Sequence, residues 1–392
     1  MPTPFDPAAA TAAYLAILTP AQHAKATAYT QGGHWLLLWT AVVAVAIAWA
    51  VLRSGVLVRL RERLERNGPK PWRVSVAVLA AYSAIEAVVG LPWSVYSGWW
   101  REKTYGLTSQ ALGGWLAEWA IDAVISLVLI TLLLSGVYAV IRRLPRTWWI
   151  WGAGLAGLGF LTLIVLSPLF IEPLFNKYTP APPGQVRDTV VAMAQANGVP
   201  SDKIYIYNGS KQSNRYTANV SGLFGTARVA MSDVMFQKDA DIAEVRGVVG
   251  HEMGHYVHTH SLWIALGLST LALIGFFLVS RLFPTVQARL PAAGVRGLSD
   301  PAGYPILSII LTVLGLLATP LQASIIRVAE SDADSFSLQR FNEPDGLAKA
   351  LVKTIEYRAA TPSKLEEVLF YDHPSVGNRV RKAMDWKAAH PK

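Results

Sequence analysis

Apolar residues in this chain do not alternate with polar ones along a helical stripe; they run unbroken for lengths suited to lipid on all sides. About 20 such residues cross a bilayer. Six stretches qualify: about Trp35 to Leu52, Val74 to Tyr96, Leu116 to Ile141, Trp148 to Ile171, Leu262 to Phe283 and Pro305 to Ile326. Trp148, Trp149 and Trp151 open the fourth as an interfacial belt, and Pro320 predicts a kink in the sixth. Between the fourth and fifth the pattern turns polar. Pro173, Pro180, Pro182 and Pro183 signal loops; Gln185 to Asn197 reads as a helix stopped by Gly198-Val-Pro200. Ile204–Tyr207 and Arg228–Met231 read as strands, and Asp239 as the cap of a helix running through His255. The last stretch, from Arg327 to Lys392, reads as helical. Four units follow: 1–171 with four spans, 172–261 as a first soluble block, 262–326 with two more spans, and 327–392 as a second soluble block.

Composition agrees with insertion in a membrane. Apolar residues make up 52% and charged residues 16%, against about 25% charged in a soluble domain, and the mean hydropathy is +0.33. The net charge of +9 does not imply nucleic acid, because the cations gather in short stretches between apolar runs. Cysteine is absent, which rules out disulfides and thiolate metal sites. Residues 1–20 lack a basic start and are interrupted by Pro20, so no cleaved signal is expected there. Glu118 and Asp122 fall at the edge of the third span, an interfacial position; Glu86 lies deeper in the second and suggests a hydrated interior. With six spans, 53–73, 142–147 and 281–304 share a side. They carry Arg53, Arg59, Arg61, Arg63, Arg66, Lys70, Arg73, Arg142, Arg143, Arg146, Arg281, Arg289 and Arg296. The opposite short segments carry Lys25, Arg101 and Lys103. The positive-inside rule then places both soluble blocks outside the cytoplasm.

The chemistry concentrates in His251-Glu252-Met253-Gly254-His255. Residues four apart share a helix face, so both imidazoles reach one ion, and Glu252 stands beside them to take a proton from water. This is the HExxH arrangement of zinc peptidases. A catalytic zinc keeps three protein ligands and one open position. The metzincin pattern needs histidine at 261, where the chain has Ser261. His258, seven residues after His251, competes for the third place, and His260 is less well aligned. The stronger candidate is Glu330, 75 residues beyond His255, with Asp334 four residues on to hold a ligand imidazole.

A wider set of motifs accompanies the pentapeptide: Leu91-Pro-Trp93 with Tyr96, Tyr105-Gly-Leu107, Pro173 to Pro180, Gly209-Ser-Lys-Gln-Ser213, Gly222-Leu223, Glu330 to Asp334, and Asp372-His373-Pro374 followed by Arg379. In this ordered set the chain resembles the type-1 CAAX prenyl proteases, integral-membrane zinc endopeptidases with bacterial homologues. The resemblance covers about residues 75 to 385. It implies Glu330 as third zinc ligand, Asp334 as its helper, and His373 and Arg379 as stabilisers of the oxyanion. It also implies that Thr217, Ala218 and Asn219 lie on a strand that pairs with the substrate backbone. The family asparagine is here Thr217, with Asn219 as a possible substitute. Eukaryotic members carry seven spans and turn their zinc domain to the cytosol, which runs against the loop-charge argument.

The sequence thus predicts an α-helical polytopic membrane protein of about six spans with a small α+β HExxH peptidase domain. Its expected cofactor is one zinc ion, its partners a peptide or membrane-protein substrate and the bilayer, with no nucleic acid, and its expected setting a bacterial inner membrane. Two other readings fit the motif: a heat-shock-type quality-control protease, and a transporter or receptor with structural zinc. The latter would have no use for Glu252.

Overall fold

The computed structural model describes residues 5–68, 70–213, 217–236 and 241–391, with Phe224 for its backbone alone. Among these, six helices are long and apolar enough to cross a membrane. Each overruns the apolar stretch that announces it. Helix α1 spans Pro20–Ser54, and α2 begins at Pro71–Val95 and stays helical to Thr104. Helix α3 covers Leu112–Arg143, and α4, Trp148–Leu166, continues to Phe175. The charged ends belong to the same rods because backbone hydrogen bonds do not stop at the lipid boundary, whereas hydropathy does.

After α4 comes the polar block, a four-stranded sheet with one helix beside it. The strands are β1 Tyr178–Pro180, β2 Ile204–Tyr207, β3 Ala218–Ser221 and β4 Arg228–Ser232, in the order β1-β2-β4-β3. Strand β4 runs parallel to β2 and antiparallel to β3. Among the described residues β3 is therefore an edge, its outer row of backbone groups unpaired with another strand. Helix α5, Gln185–Ala196, buries Val190, Met193 and Ala194 against the sheet. The sheet is fastened to the end of α4 by Arg228, which donates to Glu172 at 2.7 Å and lies over the Tyr178 ring.

Helix α6, Ile242–Val257, carries the HExxH residues. Its cap is Asp241, whose carboxylate accepts from Ala243 N–H at 2.9 Å; Asp239 lies outside the described residues. Thr259 turns left-handed (φ 53°) and starts α7, His260–Gln287. Helix α8, Tyr304–Phe341, is a single 38-residue rod that passes through Pro320 and ends well beyond the apolar stretch. Of the helices that follow at the polar end, α9 Pro344–Lys353 and α10 Val376–Ala389 are joined by a segment that includes the short helix Lys364–Phe370.

What positions the site is the packing of α6 on α8. Gly250 and Gly254 face it: a Cβ at Gly250 would come within 2.4 Å of the Phe341 ring, and one at Gly254 within 3.1 Å of the Ala333 backbone, while Gly247 makes the same kind of close approach to Leu347 on α9. Only hydrogen fits there, so the two axes approach closely. Ser337 seals the contact by donating to the Gly247 carbonyl at 2.8 Å. The chain's first helix, Pro7–Leu15, packs on this same end, where the Tyr14 hydroxyl donates to Asp345 at 2.7 Å. Glu118, near the start of α3, is held by the turn after β2, accepting from Lys211 at 3.0 Å and Gln212 at 2.9 Å.

Candidate metal centre

His251 and His255 lie one helical turn apart on α6, their Nε2 atoms 3.1 Å from each other. Glu330 reaches in from α8. Its Oε2 is 3.1 Å from His251 Nε2 and its Oε1 3.4 Å from His255 Nε2. Zinc bonds of about 2.0–2.2 Å at tetrahedral angles hold ligand atoms about 3.3–3.6 Å apart, close to this spacing. The donor chemistry fits as well. Asp334 accepts from His251 Nδ1 at 2.9 Å, which fixes the proton on that nitrogen and aims the lone pair of Nε2 at Glu330. Glu330 Oε2 is buried and without a hydrogen-bond partner. Nε2 and a buried carboxylate oxygen at that distance call for a cation between them, a proton or a metal ion. The residues present therefore fit a metal ion.

Asp334 is itself clamped. Arg379 on α10 grips it with two hydrogen bonds, Nε to Oδ2 at 2.8 Å and Nη2 to Oδ1 at 2.7 Å. Both residues are buried. The Arg379 fork is thus committed to the residue that orients His251. His373 stands at the other side of the cluster, with Nε2 3.2 Å from Glu330 Oε2 and Nδ1 2.7 Å from Asp372. Burial pushes His373 below its ordinary value, against the opposing pull of Asp372. Desolvation likewise raises the Glu252 carboxyl above the usual range, while His251 and His255 pull it back. His251, despite burial, is pushed up to about 9 by its bonds to Asp334 and Glu330.

A cavity of about 210 Å³ opens beside these groups. Glu252, His373 and Arg379 line it, as do Thr217 and Ala218 at the edge strand. Thr217 Oγ1 lies 2.7 Å from the Tyr207 hydroxyl. Asn219 pairs with Ala230, and its Oδ1 is buried without a partner; it is not among the cavity residues. Asn214, Arg215 and Tyr216, between the Gly209–Ser213 motif and β3, lie outside the described residues. His258 does not join the first cluster. Its Nδ1 is hydrogen-bonded to Asp332.

Two features escape sequence reasoning: the place of Arg358 in the cavity, and the contact with His255 of His260, weighed above only as a third ligand. Arg358 lines the cavity, its Nη2 3.5 Å from His373 Nε2. His260 is fully buried, and its Nδ1 meets His255 Nδ1 at 2.9 Å while its Nε2 meets Asp332 at 3.0 Å. The left-handed turn at Thr259 swings His260 back against His255, and only that turn could have signalled it.

Comparison with known proteins agrees with this architecture. Residues 8–177 match the family model described as CAAX prenyl protease N-terminal, five membrane helices, and residues 180–387 match peptidase family M48. The chain is similar to the uncharacterized metalloprotease YhfN of Bacillus subtilis, 26% identical over 377 residues, covering 93% of this chain and 86% of that one. It is also similar to the CAAX prenyl protease 1 homolog of Arabidopsis thaliana, 24% identical over 316 residues, 78% of this chain and 72% of the relative. In fold it is similar to the crystal structure of S. mikatae Ste24p, with a TM-score of 0.73 at 20% identity, covering 94% of this chain and 89% of that one.

Proposed function

We propose a reaction from one premise: the chain belongs to peptidase family M48, and it is an integral-membrane metalloendopeptidase that hydrolyses peptide bonds. The comparisons favour this over the quality-control and structural-zinc readings. Our reading assigns one zinc ion to His251, His255 and Glu330. Bound there, zinc would lower the pKa of water to about 7 and polarise the scissile carbonyl. Glu252 takes the proton from the attacking water and passes it to the leaving amine. Asp334 keeps the His251 proton on Nδ1, and Arg379 keeps Asp334 in place. In its protonated form His373, with Asp372 on Nδ1, offers Nε2–H to the oxyanion. The substrate enters extended, adding a strand to the open edge of β3 at Thr217 and Ala218.

We assign the peptidase to two blocks, 172–261 and 327–392, separated by the spans of 262–326 and preceded by those of 1–171. Its substrates are membrane-associated peptides or proteins, with the C-terminal CaaX peptides of the similarly named relatives as the first class to try. We place it in a bacterial inner membrane, with the peptidase outside the cytoplasm, on the thirteen loop cations described above. An alkaline phosphatase fusion after Lys392 that is stable but inactive would reverse that orientation.

The observation that carries the reading is the convergence of the ligand triad, Glu252 and an open strand edge on one cavity. The test is product mass spectrometry on wild-type and Glu252→Gln protein with a quenched peptide. We expect Glu252→Gln to retain zinc and lose at least ~10²-fold in turnover. Near-normal hydrolysis by the pure variant would end this mechanism.

A further inference from the structure

Next to the first cluster stands a second group able to hold an ion. His258, His260 and Asp332 present one donor atom each, all within 4.8 Å of one another. Asp332 Oδ2 touches both imidazoles, bonding His258 Nδ1 and lying 3.0 Å from His260 Nε2. His258 and Asp332 are partly open to solvent, with side chains 39% and 46% exposed, so an ion could enter from outside and keep water ligands. Two imidazoles and a carboxylate suit a divalent transition cation such as zinc.

The two groups share a proton path through His255 and His260. With His255 bonded to an ion through Nε2, its proton sits on Nδ1 and donates to His260 Nδ1, 2.9 Å away. His260 then carries its proton on Nε2, donated to Asp332. That proton occupies the lone pair an outer cation needs. We propose that His258, His260 and Asp332 form a second, inhibitory cation site whose filling forces His255 to surrender its Nε2 lone pair. When a cation takes His260 Nε2, the displaced proton goes to His260 Nδ1. There it meets the Nδ1–H of His255, two donors face to face at 2.9 Å. The conflict ends when His255 moves its proton from Nδ1 to Nε2 and accepts from His260. Each imidazole keeps one proton throughout; only the nitrogen that bears it changes. The inner ligand triad is broken as a result, so excess metal switches the site off. This inference rests on the assignment of the inner ion to His251, His255 and Glu330.

The experiment loads full-length protein in detergent with one cobalt(II) per chain, whose visible absorption reports its ligands, and then adds zinc. In wild type, cobalt release accelerates with zinc concentration, and excess zinc suppresses peptide hydrolysis. In His258→Ala, which leaves the inner ligands untouched, the starting spectrum and basal hydrolysis are unchanged. There, cobalt release becomes independent of zinc, and at least ~10-fold more zinc is needed to inhibit. A wild-type release rate that ignores zinc overturns the proposal. So does an identical zinc dependence in His258→Ala. A chain that holds no cobalt overturns the inner assignment and this inference with it, a result told apart by the missing starting spectrum.

Discussion

Glu330 and Asp332 are two residues apart on α8, and each faces a pair of histidines, yet their surroundings differ at every point. Glu330 and His251 are buried; the His258 and Asp332 side chains are well exposed. The inner group is backed by a second row, Asp334 on His251 and Arg379 on Asp334. In the outer group Asp332 bonds both histidines with one oxygen, and His260 also meets His255. The inner group keeps an orphaned acceptor, Glu330 Oε2, while the outer carboxylate satisfies itself on its imidazoles. The donor chemistry, two imidazoles and a carboxylate, is the same in both places. What distinguishes a site that demands an ion from one that merely tolerates it is burial together with the partners that fix each lone pair.

The contrast can be broken or sharpened by mutation. Glu330→Ala is expected to have the largest effect, near-complete loss of bound metal and of chelator-sensitive hydrolysis, whereas His258→Ala keeps both. Elemental analysis of the purified variants decides; zinc lost from His258→Ala but kept in Glu330→Ala reverses the ranking of the two groups. His373→Ala comes next, with turnover lower by ~10²–10³-fold and little change in KM. Since burial holds His373 below its usual value, its donor form dominates on the acid side. Wild-type turnover therefore falls as pH rises through that group, and the variant lacks this limb. A raised KM with intact kcat would disprove the oxyanion role. Asp334→Ala should weaken metal affinity by ~10–100-fold, the range for partners of ligand histidines; competition with a calibrated chelator measures it, and unchanged affinity would mean that the buried partners do not set the inner group apart. Gly250→Ala is the mildest, a loss of about 1–3 kcal/mol from crowding Phe341, seen as earlier thermal unfolding. Unaltered unfolding would remove close helix approach from the explanation of burial.

Much of this was legible because it is local. His251, Glu252 and His255 share one helix, so spacing alone brings them together, and Asp334 follows Glu330 by one turn in the same way. The six spans announced themselves by hydropathy, but their ends did not, since Thr104, Phe175 and Phe341 lie on rods continued by backbone bonding past the apolar residues. β2 stood out as an alternating Ile and Tyr run and β4 by its apolar Val229-Ala-Met231. β1 has only three residues, and β3, four residues at the edge, was reached only through the family resemblance that put Thr217, Ala218 and Asn219 on a strand. The commitment of Arg379 to Asp334 is tertiary, bridging two helices 45 residues apart. His260 was hidden by a single left-handed residue, Thr259, a conformation that its type does not suggest.

The unbroken run of α8 has a mechanical consequence. Thirty-eight residues make a shaft of about 57 Å, nearly twice the roughly 30 Å of hydrocarbon it traverses. Glu330 rides on the overhang. Tilt imposed on the embedded half by a thicker or thinner bilayer is carried along the shaft to the ligand, with leverage that grows with distance from the lipid. Bilayer thickness is therefore an expected control on this site, and hydrolysis compared across lipids of different chain length would show it.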